Sequence, residues 1–284
     1  MISVIIPTYN RAATITGSVQ SILRQTYQDL ELIVVDDGST DGTAGLLENL
    51  PLRYIYQANA GAAKARNTGI EAASGDYISF HDSDDLAYPD KLRRELDFMA
   101  KTGADIVSCN LRMQNYQMPH NLPTGIITNQ SLYGIGTQSL LLKASVAKSN
   151  PFPLGLPAYE DFAYLYGLSK NYKLAHLNEV LVEYSYTENS LSRSDAKKRL
   201  AIEKILAMYP ELADESATYQ IFMLIKAIAE YKEELDYQTT LTTLYHEYPN
   251  PKTACYHYLA KAGLFPLVVY LKEHLPGGLR NFFK

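Results

Sequence analysis

Over the first hundred residues, short apolar runs alternate with stretches in which apolar side chains return every third or fourth position. Ile2 to Ile6 is such a run, closed by Pro7, and Ile15, Val19, Ile22 and Leu23 then recur at helical spacing. Leu30 to Val35 forms a second run, followed by Gly38-Ser39-Thr40-Asp41-Gly42 and a short helical stretch around Ala44 to Leu50. Tyr54 to Tyr56 predicts a third strand, Ala62 to Ala73 a helix of small residues stopped by Gly75, and Tyr77 to Phe80 a fourth strand. A helix from about Pro89 to Thr102 ends at Gly103, ahead of a strand at Asp105 to Ser108. Strands and helices in regular alternation require crossover connections. The pattern therefore predicts an α/β fold, with a Rossmann-like, largely parallel sheet and helices on both faces.

After Asn110 the pattern loosens. Pro119, Pro123, Gly125, Gly134 and Gly136 mark loops, and Pro151, Pro153 and Pro157 precede an acidic helix start at Glu160. From about Asp195 helical spacing returns, as in Ile202, Ile205, Leu206 and Tyr209, punctuated by Pro210, Pro249, Pro251 and Pro266. These shifts divide the chain into an α/β region, residues 1–194, with halves of about 1–110 and 111–194, and an all-helical C-terminal appendage, residues 195–284.

Composition narrows the chemistry. The 26 Lys and Arg against 31 Asp and Glu leave a net charge of −5 with no basic block, which excludes nucleic acid as the main partner, since phosphate contacts need clustered cations. Cys109 and Cys255 are far apart and lack metal-ligand spacing, so they read as buried thiols rather than a disulfide or zinc site. The 23 Tyr, against 8 Phe and no Trp, suit half-wet surfaces such as sugar sites or subunit contacts. The opening Met1 to Pro7 carries no basic leader, and its apolar run falls far short of the roughly 20 residues that span a bilayer, so the expected location is cytoplasmic.

Four polar clusters follow four successive strands: Pro7-Thr8-Tyr9-Asn10, Asp36-Asp37-Gly38-Ser39, Gly61 to Asn67, and Asp82-Ser83-Asp84-Asp85. In an open parallel sheet ligands bind outside the carboxyl ends of the strands, so all four are expected at one crevice. Asp36 or Asp37, at a glycine turn, can present a carboxylate to the N3–H and ribose hydroxyls of a uracil nucleotide; a turn carboxylate capping the helix near Asp41 is the competing assignment. The spacing from Asp37 to Glu48 nearly matches a calcium loop, but a strand precedes it where a helix is required. Gly61 opens a helix of small residues that lets backbone approach a ligand, while Lys64 and Arg66 could meet base or diphosphate oxygens. Three carboxylates within four residues at 82–85 repel one another, and either a hard divalent cation or capping of the following helix would relieve them. A carboxylate at Glu160-Asp161 could take a proton from an attacking hydroxyl, or could simply favour the first helical turn.

Taken in order, Val4 to Asn10, Val34 to Asp41, Gly61 to Gly69, Ser74 to Asp85 and Glu160-Asp161 resemble the family 2 glycosyltransferases, inverting nucleotide-sugar enzymes of GT-A fold, over roughly residues 1 to 190. The resemblance implies that Thr8, Tyr9, Asp37 and Arg66 hold the nucleoside of a UDP-sugar or dTDP-sugar. It further implies that Asp82 and Asp84 form a DxD element for ribose and diphosphate-bound Mn²⁺ or Mg²⁺, and that Asp161 is the catalytic base. Pro7, Asn10, Asp36, Gly61, Lys64, Asn67 and Ser83 would complete the donor site, and residues 111–194 would face a glycan, lipid-linked or glycoprotein acceptor. Many relatives carry Tyr-Arg-x-His-x-x-Ser after the base helix, whose His helps ligate the metal. Here Tyr184 to Ser190 places Ser185 and Thr187 there, leaving His81 and His176 as substitutes, each alternatively a hydrogen-bonded structural residue.

Two rival activities remain at the level of sequence. A nucleotidyltransferase would carry a glycine-rich basic loop directly after the first strand, which Pro7 to Arg11 lacks, and a binding protein without turnover would keep the cleft but lose the chemistry. The tail Leu264 to Leu275, followed by Arg280 and Lys284, could lie on an anionic membrane at the inner face, but packing within the subunit or in a homo-oligomer through residues 195–284 is the favoured reading.

Overall fold

The computed structural model describes residues 1–113, 116–117, 122–128, 132, 134–185, 194–214, 222–223, 225–228, 230, 232, 236–247, 251–261, 265 and 269. The first apolar runs become the parallel strands β1 (Ile2–Thr8), β2 (Leu30–Asp36), β3 (Arg53–Tyr56) and β4 (Tyr77–Phe80), connected through α1 (Ile15–Leu23), a 3₁₀ turn at Ala44–Leu46 and α2 (Ala62–Ala72). The expected helix at 44–50 is thus a single tight turn. β5 (Leu86–Ala87), α3 (Lys91–Thr102), β6 (Ile106–Met113), β7 (Tyr116–Gln117), β8 (Gly125–Ile127), β9 (Leu140–Lys143), α4 (Ala144–Ser149), α5 (Glu160–Ser169) and β10 (Leu174–Tyr184) follow.

The main path of the sheet runs β3-β2-β1-β4-β9-β6-β10-β5. β6 and β10 are parallel, but β9 enters between β4 and β6 antiparallel to both, and β5, β7 and β8 also pair antiparallel. β9 was hidden because its apolar core, Leu140-Leu141-Leu142, is too short to stand out from the surrounding loops. β6 extends five residues past the expected end at Ser108 because β10 supplies partners as far as Met113.

Side chains alternate across the sheet. Ile2, Val4 and Ile6 share one buried cluster with Ile15, Val19 and Ile22 of α1 and Leu92, Phe98 and Met99 of α3. On the opposite face α2 lies so close to β1 that a Cβ on Gly69 would stand 2.4 Å from Cγ2 of Ile5, which explains the run of small residues. Complete burial of each such aliphatic side chain contributes roughly 1.5–3 kcal/mol.

By contacts the chain divides into two compact units, Met1–Gly155 with Glu160–Ser190, and Leu156–Tyr159 with Leu191–Lys284. The second unit contains α6 (Asp195–Met208), a 3₁₀ turn at Pro210–Asp214, and helices at Tyr237–Glu247 and Pro251–Lys261. Ser194 caps α6 by accepting a hydrogen bond from the Lys197 amide, and Met223, Ala227, Leu241, Leu244, Tyr256 and Phe265 form the apolar cluster. Apart from Phe265 and Val269, the tail considered for membrane contact lies outside the described residues. Among the described residues no helix is long and apolar enough to cross a membrane.

Candidate active site

Thr8 and Asp36 are register partners, so β1 and β2 end together, and the loops that follow them are interlocked. The Asp37 amide donates to the Thr8 carbonyl at 2.8 Å, and Asn10, in the left-handed region at φ 51°, donates its amide to Ser39 Oγ at 2.9 Å. Thr40 in turn donates its amide to Asn10 Oδ1 at 2.8 Å, Arg11 donates to Thr43 Oγ1 at 2.9 Å, and Ala12 donates to Asp41 Oδ2 at 3.0 Å. Asparagine tolerates the left-handed backbone better than most residues, which fits it to this corner.

The adjacent carboxylates work within the protein. Asp36 accepts from the Ser39 amide and the Tyr54 hydroxyl, both at 2.7 Å. Asp37 accepts from Gln57 Nε2 at 2.7 Å and from the amides of Ala60 and Gly61 at 2.8 Å, so it docks the entry to α2, where Gly61 takes φ 92°. A carboxylate has about four acceptor positions. Asp37 therefore retains one open acceptor position, and the Thr8 hydroxyl is buried with no hydrogen-bond partner among the described residues. Pro7 is buried beneath them, and Tyr9 stands exposed.

The acidic turn after β4 is closed by the Asp85 amide donating to the Asp82 carbonyl at 3.2 Å. From α1 and the residue before it, Ser18 Oγ donates to the Asp82 carbonyl at 2.9 Å and Thr14 Oγ1 to that of Ser83 at 3.0 Å. These acids do not cap α3, whose N-cap is Asp90. Arg66, on the second turn of α2, joins three distant stretches of sequence: Nη2 donates to Asp82 Oδ1 at 3.0 Å and Nη1 to Glu160 Oε1 at 3.1 Å. Its guanidinium, 6% exposed, lies over the Phe152 ring. Arg11 approaches Asp84 from the other side, at 3.5 Å.

Electrostatics follow from this crowding. Burial opposes the Arg66 charge, but Asp82 and Glu160 outweigh it and hold the group firmly protonated. Burial, and then Asp82, push the Asp84 carboxyl up against the pull of Arg11. Asp85, more deeply enclosed, is pushed up to about 9 by burial and then Asp82. Asp161, at the start of α5, is pushed up to about 7 by burial first and Glu160 second, while the Phe162 amide and Arg66 pull it back. If Asp161 acts as a base, kcat/KM should fall tenfold per pH unit below about 6 and level off above about 8; a flat profile from pH 5 to 8 would exclude it. For stability the sign is opposite. The carboxyl titrates near 3.8 when unperturbed, so stability held by its protonated form below about pH 4 is lost as pH rises through 7.

Other expected site residues have different surroundings. Asn67 is buried and clamps Phe152, donating to its carbonyl at 3.0 Å and accepting from its amide at 2.8 Å. Lys64 is half-buried. Arg66, expected at base or diphosphate oxygens, has both terminal nitrogens on carboxylates. His176 lies within a ladder between Ser108 and Asn110, at 2.9 and 3.0 Å, and His81 is fully buried against the Asp85 carbonyl at 3.1 Å. Both rings thus have the hydrogen-bonded structural setting that is the alternative to metal ligation. Ser185 does reach the acidic turn, its amide donating to Asp85 Oδ1 at 2.9 Å; Thr187 lies outside the described residues. Sequence reasoning did not single out Arg11 or the anchors Thr14 and Ser18, although Arg11 directly follows the first motif.

Comparison with known proteins bears on this geometry. The family model for "Glycosyl transferase family 2" matches residues 3–149. TuaG, a glycosyltransferase of Bacillus subtilis (strain 168) named for teichuronic acid biosynthesis, is 31% identical over 231 residues, covering 75% of this chain and 88% of its own. The UDP-Glc:alpha-D-GlcNAc-diphosphoundecaprenol beta-1,3-glucosyltransferase WfgD of Escherichia coli is 31% identical over 212 residues, covering 70% and 82%. Several curated relatives are longer. This chain spans 17% of a Rickettsia felis glycosyltransferase that is 45% identical over 102 residues, 34% of this chain. The crystal structure of S. aureus TarS 1-349 in complex with UDP-GlcNAc has the same fold, with a TM-score of 0.69 at 21% identity over 96% of this chain and 90% of that one.

Proposed function

The chain belongs to glycosyl transferase family 2, and from that premise we propose that it transfers a sugar from a UDP-sugar to a hydroxyl of a glycan or lipid-linked glycan acceptor, with inversion at the anomeric carbon. The observation that carries this reading is the Arg66 bridge. By holding Asp82 and Glu160 together it sets Asp161, the neighbour of Glu160, beside the acidic turn. The complexed TarS and the donor and acceptor in the name of WfgD support a uridine donor and a diphosphoundecaprenol-linked acceptor.

In the proposed reaction Asp161 removes the proton of the acceptor hydroxyl as that oxygen bonds to the anomeric carbon. The bond from that carbon to the diphosphate oxygen breaks, and its electron pair leaves with UDP. A base that titrates near 7 suits the task, because general bases work best with pKa values near the operating pH. Burial lends weight to the carboxylate's role at the moment of transfer, since the developing positive charge on the sugar is poorly screened there.

A hard divalent cation fits the residues present. Asp84 and Asp82 offer oxygen donors, and burial first and the charge of Asp82 second push the Asp84 and Asp85 carboxyls up, so a bound cation would be favoured beside them. Among the described residues no group of three or more metal-ligating side chains is assembled, so donor phosphate and water oxygens would complete the shell, as Mg²⁺ or Mn²⁺ commonly allow. When bound, the ion would supply charge neutralisation at the leaving diphosphate.

The test is incubation of the full chain with a panel of UDP-sugars and dTDP-sugars, Mn²⁺ and undecaprenyl-diphosphate-linked sugar. UDP release with a glycosylated product supports transfer; pyrophosphate release from UTP would replace it with nucleotidyl transfer, and binding without product with a sensor role. Asp84→Asn is expected to weaken Mn²⁺-dependent UDP binding about tenfold or more in calorimetry and to lower turnover. Unchanged affinity would remove Asp84 from the ion.

A further inference from the structure

Three carbonyls of the acidic turn are held by side chains. Two of these side chains come from the region of α1, Ser18 on the Asp82 carbonyl and Thr14 on that of Ser83. The third comes from β4's own end: His81 Nε2 meets the Asp85 carbonyl at 3.1 Å. A carbonyl can only accept, so Nε2 carries the hydrogen and Nδ1 is the bare nitrogen. Nδ1 is buried with no hydrogen-bond partner among the described residues, and the ring is completely enclosed. The same Nε2 also lies 3.5 Å from Ser21 Oγ, which donates to the Ser18 carbonyl at 2.7 Å and accepts from the Ala87 amide at 3.0 Å. The imidazole thus holds the C-terminal end of the turn at Asp85, and Ser21 of α1, beside the same nitrogen, holds β5 at Ala87.

We propose that His81 is a positioning residue for the nucleotide-diphosphate site, its Nε2–H fixing the turn so that Asp82 faces Arg66 on one side and Asp84 faces Arg11 on the other. The geometry supports this beyond packing. An apolar residue of the same bulk would fill the space yet leave the Asp85 carbonyl without a side-chain donor, in a buried place where water has little access. Without that tie, the backbone of the turn would keep Ser18 and Thr14 on the carbonyls of Asp82 and Ser83 but lose its side-chain donor at Asp85. Glutamine can set its amide nitrogen near the position of Nε2, whereas leucine can supply only bulk.

The inference rests on the transferase reading for its functional half, so the experiment has two arms. In the first, ligand-free full-length protein is followed by hydrogen–deuterium exchange. His81→Leu should speed exchange of amides 83–87 at least tenfold relative to wild type, with exchange in α2 and β2 unchanged, and His81→Gln should restore protection to within about threefold. In the second, calorimetry measures UDP binding with and without Mn²⁺. His81→Leu should weaken the Mn²⁺-dependent affinity tenfold or more while shifting metal-free UDP affinity less than twofold, and His81→Gln should recover most of the loss. Wild-type exchange in the leucine variant overturns the proposal, as does a uniform loss of protection across the sheet that glutamine does not rescue, which would mark plain structural damage. A wild-type chain that binds no UDP but shows the expected exchange pattern would refute the donor site while leaving the His81 tie to the turn upheld.

Discussion

Asp161→Asn should reduce sugar transfer by about 10³-fold, within the 10²–10⁴-fold span typical of a general base, while UDP affinity stays within twofold of wild type. The substitution keeps shape and removes only the capacity to take a proton. Asp161 accepts one hydrogen bond from the adjacent Phe162 amide at 2.7 Å, and an asparagine oxygen can do the same. Its neighbours favour the neutral form as well, since burial and Glu160 already resist its charge. The asparagine variant should therefore fold as stably as wild type at pH 7, or slightly more so. Turnover measured by UDP release, set beside UDP calorimetry, separates the effects. A variant that transfers at wild-type rate removes Asp161 from the chemistry, and one that loses UDP affinity moves it to the donor.

Arg66→Met should harm both fold and rate. Methionine preserves much of the packing over Phe152 but leaves Asp82 and Glu160 facing each other without their shared cation. Removing one partner of a fully buried pair costs about 3–5 kcal/mol. The two carboxylates here are partly open to solvent and can recover hydration, so the expected loss is about 2 kcal/mol, read as a fall of roughly 4–8 °C in thermal midpoint. The rate effect should exceed it, because a misplacement of about 1 Å between acidic turn and base can cost 10²-fold. Arg66→Lys should rescue little, since a compact ammonium lacks the planar fork whose two separate terminal nitrogens each reach one carboxylate. If Arg66→Met melts with wild type and transfers normally, the bridge does not set the geometry.

Much of this edge of the sheet was legible in the chain. The runs at Ile2, Leu30 and Tyr77 located three parallel strands, and the rule that loops gather at their carboxyl ends brought the motifs to one edge. What escaped were relations set by partners far away in sequence. β9 depends on β4 and β6 for its identity as a strand, and nothing within Leu140–Lys143 announces its direction. Asn67 looks like any polar residue at a helix start until Phe152, 85 positions away, takes both ends of its amide. Arg66 reads as a cation available to phosphate, but its burial and its two carboxylates come from three-dimensional closure. Composition gave no sign that Asp36 and Asp37 would be occupied mainly by Tyr54, Gln57 and backbone amides.

The reciprocal bonds between residues 10–12 and 39–43 make those two segments a single heritable module. Neither can be exchanged alone for its counterpart from a homologue without orphaning several amides at once. Chimeras that exchange this corner should accordingly graft both segments together, and libraries that randomise one while holding the other constant will be dominated by misfolded members.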